Sequence, residues 1–172
     1  ARFLQLCCRG PANRLCGMNK PVNVHGTGLV LGELGVLLRG PSGAGKSVLS
    51  MALLDRWEGR GQPAFLVADD RVDIADEGTR LVMLAPPQLA GLIELRGRGI
   101  VSRPHREWAQ LHLVIDLVPE LTRMVEEEDL QTEMFGHTLP RAPVPQAGVV
   151  GLGHQILLVA EAAAQAVQQA AP

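Results

Sequence analysis

Eight consecutive residues, Gly40-Pro41-Ser42-Gly43-Ala44-Gly45-Lys46-Ser47, constrain this chain more than any other feature. They fit the pattern G-x-x-x-x-G-K-[ST] in full. Glycines let the backbone curl so that successive N–H groups point at one phosphate. A helix behind the loop adds the positive end of its dipole. Lys46 brings a point charge to the terminal phosphates, and the Ser47 hydroxyl can ligate Mg²⁺. A strand before such a loop and a helix after it support the match, and an α/β fold is expected. The flanks agree. Residues 35–38 (Gly-Val-Leu-Leu) read as an apolar strand. A helix is expected from Gly45 to about Trp57, with Val48, Leu49, Ala52 and Leu53 at helical spacing and Gly59 and Gly61 ending it. A glycine-rich turn with a chance Lys-Ser would lack that setting.

Length and composition narrow the rest. A chain of 172 residues, 47 % hydrophobic and 20 % charged, suits one domain with a real core. The net charge of −2 and the lack of a basic run argue against a nucleic-acid partner. Aromatic residues are 3 % and tyrosine is absent, so base-stacking platforms are not expected. The three cysteines, Cys7, Cys8 and Cys16, are an odd number without metal-ligand spacing, so neither a disulfide framework nor a zinc site is expected. No stretch reads as a signal peptide or reaches membrane-spanning length. The expected compartment is the cytoplasm. Residues 1–17 read as an N-terminal extension, Met18 as close to the functional start, and residues 18–172 as the P-loop domain.

Further along, residues 28–31 read as a short strand before the turn Gly32-Glu33. Residues 64–68 (Ala-Phe-Leu-Val-Ala) read as a buried central strand. A hairpin is expected around Asp76-Glu77-Gly78, a break at Pro86-Pro87, and a strand over residues 113–117. Glu126 to Asp129 reads as a solvated acidic face. Residues 140–145 read as an extended linker, and 157–171 as a C-terminal helix.

Two acids close the central strand. Asp69 and Asp70 beside a P-loop are placed to hold Mg²⁺ or its water and to accept a proton from a hydroxyl nucleophile. Solvated aspartates in a strand-ending turn are the plain alternative. The stretch Glu94-Leu95-Arg96-Gly97-Arg98-Gly99-Ile100 offers one acid and two arginines for metal and phosphate contacts. By spacing alone, an exposed turn with ion pairs explains it better. His25, a lone histidine, is by residue type more often a surface side chain than a catalytic one.

In order and spacing, Val24-His25-Gly26, Gly35-Val36-Leu37, the P-loop, Val67-Ala68-Asp69-Asp70-Arg71-Val72-Asp73, Ala85-Pro86-Pro87 and the Glu94–Ile100 stretch together resemble the catalytic C-terminal domain of bacterial HPr kinase/phosphorylase. Weaker similarity continues through Pro143-Val144-Pro145 and the segment 159–163. The resemblance implies a P-loop α/β domain, its sheet flanked by helices. It implies ATP-dependent, Mg²⁺-assisted phosphorylation of a serine on the HPr carrier of the sugar phosphotransferase system. It also implies the reverse, phosphorolytic reaction that releases pyrophosphate. It makes Lys46 the contact to the transferred phosphate, Asp70 the proton acceptor, His25 a catalytic neighbour and Arg123 a downstream catalytic arginine. Ser47 and Glu94 become Mg²⁺ ligands, with Asp69 beside them. The family is often hexameric, so a homo-oligomer is implied too.

The chain departs from the pattern in places. The resemblance covers the catalytic domain, so a short form without the family's N-terminal domain, as in some proteobacteria, is expected. Val101-Ser102-Arg103-Pro104-His105-Arg106 stands where the family has an apolar stretch and a Gly-Ala-Gly loop, and Gly153-His154 stands where Gly-Arg is expected. Both segments bear on phosphorolysis and docking, so the kinase step is supported more directly. Two other readings fit a P-loop: a small-molecule kinase or ATPase, and a nucleotide-sensing module without turnover.

Overall fold

Strand β2 (Thr27–Leu31) is buried at every position, a pattern that requires both faces of its sheet to be covered. The computed structural model describes residues 20–170. The expected extension, Met18 and the three cysteines lie outside them. After β1 (Val22–His25) and β2 come β3 (Leu34–Arg39), α1 (Lys46–Glu58), β4 (Ala64–Ala68), β5 (Arg71–Asp76) and β6 (Leu81–Leu84). Then follow β7 (Leu92–Leu95), β8 (Gly99–Ser102), β9 (Trp108–Gln110), β10 (Leu113–Val118), β11 (Gln131–Met134), β12 (His137–Pro145) and α2 (Leu152–Ala170).

A six-stranded sheet runs β11-β12-β10-β3-β2-β4, and a four-stranded sheet runs β1-β5-β6-β9. The β3, β10 and β12 strands are parallel, whereas β2 pairs antiparallel with both β3 and β4. Alternate side chains leave opposite faces of a strand. Leu29, Leu31, Val36, Leu38, Ile115 and Leu117 therefore pack with Leu49 and Leu53 of α1 and Val159 and Ala163 of α2. Their neighbours Val30, Leu37 and Val114 pack with Val72, Ile74 and Met83 of the four-stranded sheet. Burying each such side chain contributes about 1.5–3 kcal/mol, as an upper bound. The expected α/β class, a sheet with helices against it, is what forms.

Three expectations need correction. Residues 64–68 form an edge strand, not a central one. The two cores bury its faces, and the segment 104–106 is laid along its open edge: Leu66 N–H donates to the Pro104 carbonyl (2.9 Å) and Arg106 N–H to the Leu66 carbonyl (2.9 Å). The Arg106 guanidinium also stacks 4.6 Å from the Phe65 ring centre. Residues 140–145, read as a linker, belong to interior strand β12. Its prolines are tolerated through their placement. The Gln146 N–H donates to the Val118 carbonyl of β10 (2.8 Å), so even-numbered residues turn their nitrogens toward β10. Pro143 and Pro145 turn theirs the other way, where β11 has already ended opposite Pro140. Finally, α2 begins at Leu152, before the expected residue 157, and takes in Gly153 and His154. The short strands β9 and β11 gave no clear pattern in the sequence.

Candidate active site

The P-loop joins the carboxyl end of β3 to the start of α1. Gly45 sits at the helix N-cap with φ 95°, a conformation that favours glycine, and a Cβ there would lie 2.7 Å from the Ala147 Cβ. At Gly43 the same addition would meet nothing within 4 Å, so the curl opens outward there. Lys46 is buried to 8 % exposure, and its Nζ donates to the carbonyls of Gly40 (2.9 Å) and Pro41 (3.0 Å). Burial lowers its pKa, opposed by the negative charges of Asp70 and Asp69.

The opposite wall forms where the chain passes twice between the two sheets. One passage runs from β1 to β2 through Gly26; the other runs from β4 to β5 through Asp69 and Asp70. The Gly26 N–H donates to the Asp70 carbonyl (3.2 Å), tying the passages together. A Cβ on Gly26 would come 2.6 Å from the Leu38 carbonyl oxygen, which is why a glycine must follow His25. Asp70 adopts φ 64°. A non-glycine residue in that region stores about 1 kcal/mol or more, though aspartate tolerates it better than most.

This twist sends the two aspartates in different directions. Asp70 points outward, where its Oδ1 lies 2.8 Å from the His25 Nε2, with both side chains solvent-exposed. Asp69 turns inward. Its Oδ1 accepts from the Thr27 hydroxyl (2.9 Å) and its Oδ2 from the Glu94 N–H (3.1 Å). Burial pushes the Asp69 carboxyl above its usual range, and these donors oppose the shift.

Between the walls lies a cleft of about 740 Å³, lined by Ser42, Gly43, Gly45, Lys46 and Ser47 on one side and by Asp69 and Asp70 on the other. The β7–β8 hairpin contributes Glu94, Arg96 and Ile100. Gly40, Pro41 and Ala44 form the loop behind that lining, and His25 reaches the cleft only through Asp70. Arg123 stands apart: it is exposed on the segment between β10 and β11 and does not line the cleft. That segment leaves β10 beside the P-loop, since a Cβ on Gly40 would lie 2.9 Å from the Leu117 Cβ. Sequence reasoning missed Thr27, whose place opposite Asp69 follows only from the pairing of β2 with β4.

The donors facing the cleft suit a hard cation. Ser47 and Glu94 present a hydroxyl and a carboxylate. Among the described residues no three His, Cys, Asp or Glu side chains gather as a metal cage. Mg²⁺ fits such a sparse set, because it takes few protein ligands and completes its shell with phosphate oxygens and water. Asp69, expected as a further ligand, already accepts a protein hydrogen bond on each oxygen.

Comparison with known proteins follows the same outline. Residues 17–171 match the family model described as HPr Serine kinase C-terminal domain. The HPr kinase/phosphorylase of Lacticaseibacillus casei (strain BL23) is 34 % identical over 156 residues, covering 83 % of this chain and 45 % of that protein. That of Burkholderia cenocepacia is 33 % identical over 147 residues, covering 81 % of this chain and 44 % of that protein. The chain thus spans a little under half the length of the curated relatives it matches. The solved structure of the Hpr(Ser) kinase/phosphatase from Coxiella burnetii superposes with a TM-score of 0.70 at 26 % identity, covering 86 % of this chain and 92 % of that one. Among the described residues no helix is long and apolar enough to cross a membrane. With its P-loop, its paired aspartates and its Glu94 hairpin set around one cleft, the chain belongs to the HPr serine kinase C-terminal domain family.

Proposed function

We propose that this domain transfers the terminal phosphoryl group of ATP to a serine hydroxyl of an HPr-like phosphocarrier protein. The observation that carries the proposal is the His25–Asp70 pair, exposed at the mouth of a phosphate cradle that holds Lys46. The curled N–H groups of the loop take the phosphates. Lys46 gives up the Gly40 and Pro41 carbonyls for the phosphoryl oxygens. Asp70, oriented by His25, accepts the serine proton as the serine oxygen bonds to phosphorus and the bond to the nucleoside diphosphate breaks. Ser47 and Glu94 would hold Mg²⁺, with Asp69 beside them; the ion, when bound, would draw charge from the phosphate oxygens. Arg123 joins from the segment that leaves the sheet beside Gly40.

The same acid serves the reverse direction that the relatives' names describe. Inorganic phosphate attacks the phosphoserine, pyrophosphate forms, and Asp70 returns the proton to the departing serine oxygen. The test is incubation with γ-labelled ATP, Mg²⁺ and purified HPr, followed by phosphoamino-acid analysis. Labelled phosphoserine is the expected result. Nucleotide bound with no label on HPr would sink the kinase reading.

A further inference from the structure

We propose that Thr27 is a positioning residue for phosphoryl transfer: its buried hydroxyl fixes the Asp69 carboxylate so that Asp69 clamps the main chain of Glu94 at the mouth of the P-loop. The proposal rests on the kinase reading above for its consequence, but not for its geometry.

Thr27 opens a strand whose later residues, Leu29, Val30 and Leu31, are apolar. Its side chain is fully buried, and its hydroxyl donates to the Asp69 Oδ1 at 2.9 Å. A buried hydroxyl in such surroundings stays only where it has a partner. The partner's other oxygen accepts the Glu94 N–H at 3.1 Å. One chain of hydrogen bonds thus runs from the six-stranded sheet, through a side-chain carboxylate, to the hairpin.

The hairpin needs such a tie. Among the described residues β7 and β8 pair only with each other and join neither larger sheet. Ile93 is buried in the core beside α1 and anchors the hairpin by packing, which is not directional. The Glu94 N–H bond is directional, and it holds the backbone of the residue whose carboxylate faces the cleft. Replacing Thr27 with valine keeps the shape and removes the donor. The Asp69 Oδ1 is then left short of a partner in a half-buried site, and the carboxylate is free to turn away from Glu94.

Thr27→Val and Thr27→Ser separate this role from simple packing. Amide hydrogen exchange, read by NMR on protein without metal or nucleotide, reports the clamp directly. In Thr27→Val the Glu94 amide should exchange about tenfold faster while amides within β2 and β4 keep their protection. With Mg²⁺ and ATP, kcat should fall by about tenfold to a hundredfold. The ATP dissociation constant measured in EDTA should stay within about twofold, because the P-loop is untouched. Thr27→Ser, which keeps the hydroxyl, should restore both the exchange rate and kcat. A Glu94 amide still protected in Thr27→Val overturns the proposal. So does uniform loss of protection across β2 and β4 that serine fails to repair. If the wild-type protein phosphorylates no serine acceptor, the functional reading fails, while the exchange comparison still decides the clamp.

Discussion

The two walls of the cleft are made in different ways. The P-loop wall is eight consecutive residues whose shape is local: a strand, a curl and a helix start. The facing wall is assembled from parts far apart in the chain. His25 and Asp70 are separated by 45 residues, Thr27 and Asp69 by 42, and Asp69 and Glu94 by 25. The register of β2 against β4, and of β1 against β5, brings the first two pairs together, and the packing of Ile93 in the core seats the hairpin that carries Glu94. In the proposed mechanism the near wall binds and the far wall reacts, so the two should fail differently when disturbed.

The largest effect should come from the far wall alone. Asp70→Asn keeps size and tolerates the same backbone twist, but cannot accept the serine proton. Its kcat should drop by about 10²- to 10⁴-fold while ATP affinity, by equilibrium titration, stays within about twofold. Loss of affinity in step with rate would mean that the two walls are not separable.

A second substitution attacks the assembly of the far wall. Gly26→Ala forces a methyl group against the Leu38 carbonyl and strains the tie to Asp70. Chemical denaturation should show a loss of about 1–3 kcal/mol. An unchanged midpoint would show that the corner has slack.

The smallest effect is expected behind the near wall. There Asp116 of β10 bonds Arg39, the residue before the P-loop, at 2.7 and 2.8 Å, and also Arg141 of β12. Burial is the largest single influence on Asp116 and would raise its pKa, but the two guanidiniums together outweigh it and hold the carboxyl below its usual range. A depressed carboxylate contributes stability above its unfolded pKa, near 4, and that stability is lost as pH falls through the lower folded value. Asp116→Asn should therefore be less stable at neutral pH and show a shallower decline below about pH 4. Parallel acid-denaturation curves for variant and wild type would remove Asp116 from the account.

How far each region could be read in advance follows the same division. The near wall was legible because the spacing of its glycines, lysine and serine has one physical purpose. Strands 28–31 and 35–38 and the helix after the loop followed from local pattern; the structure lengthens the strands by one and two residues and shifts the helix by one. The pair Asp69-Asp70 was legible as acids at a strand end. Their opposite directions were not, because these depend on φ 64° at Asp70 and on what stands across from Asp69. Thr27 carried no signal at all, since a buried threonine in a strand is ordinary until its neighbour is known. Residues 64–68 looked central because covering by the 104–106 segment and covering by another strand leave the same apolar run. Residues 140–145 looked like a linker because prolines do not show which edge of a strand they will face.

The positive φ at Asp70 ties reach to backbone at a single Cα. A longer acid there would not be a simple extension of the same arm, because glutamate accepts that turn of the chain less readily than aspartate or asparagine. Any attempt to retune the proposed kinase for a bulkier or more distant alcohol by lengthening the acid at this position must therefore reshape the corner first.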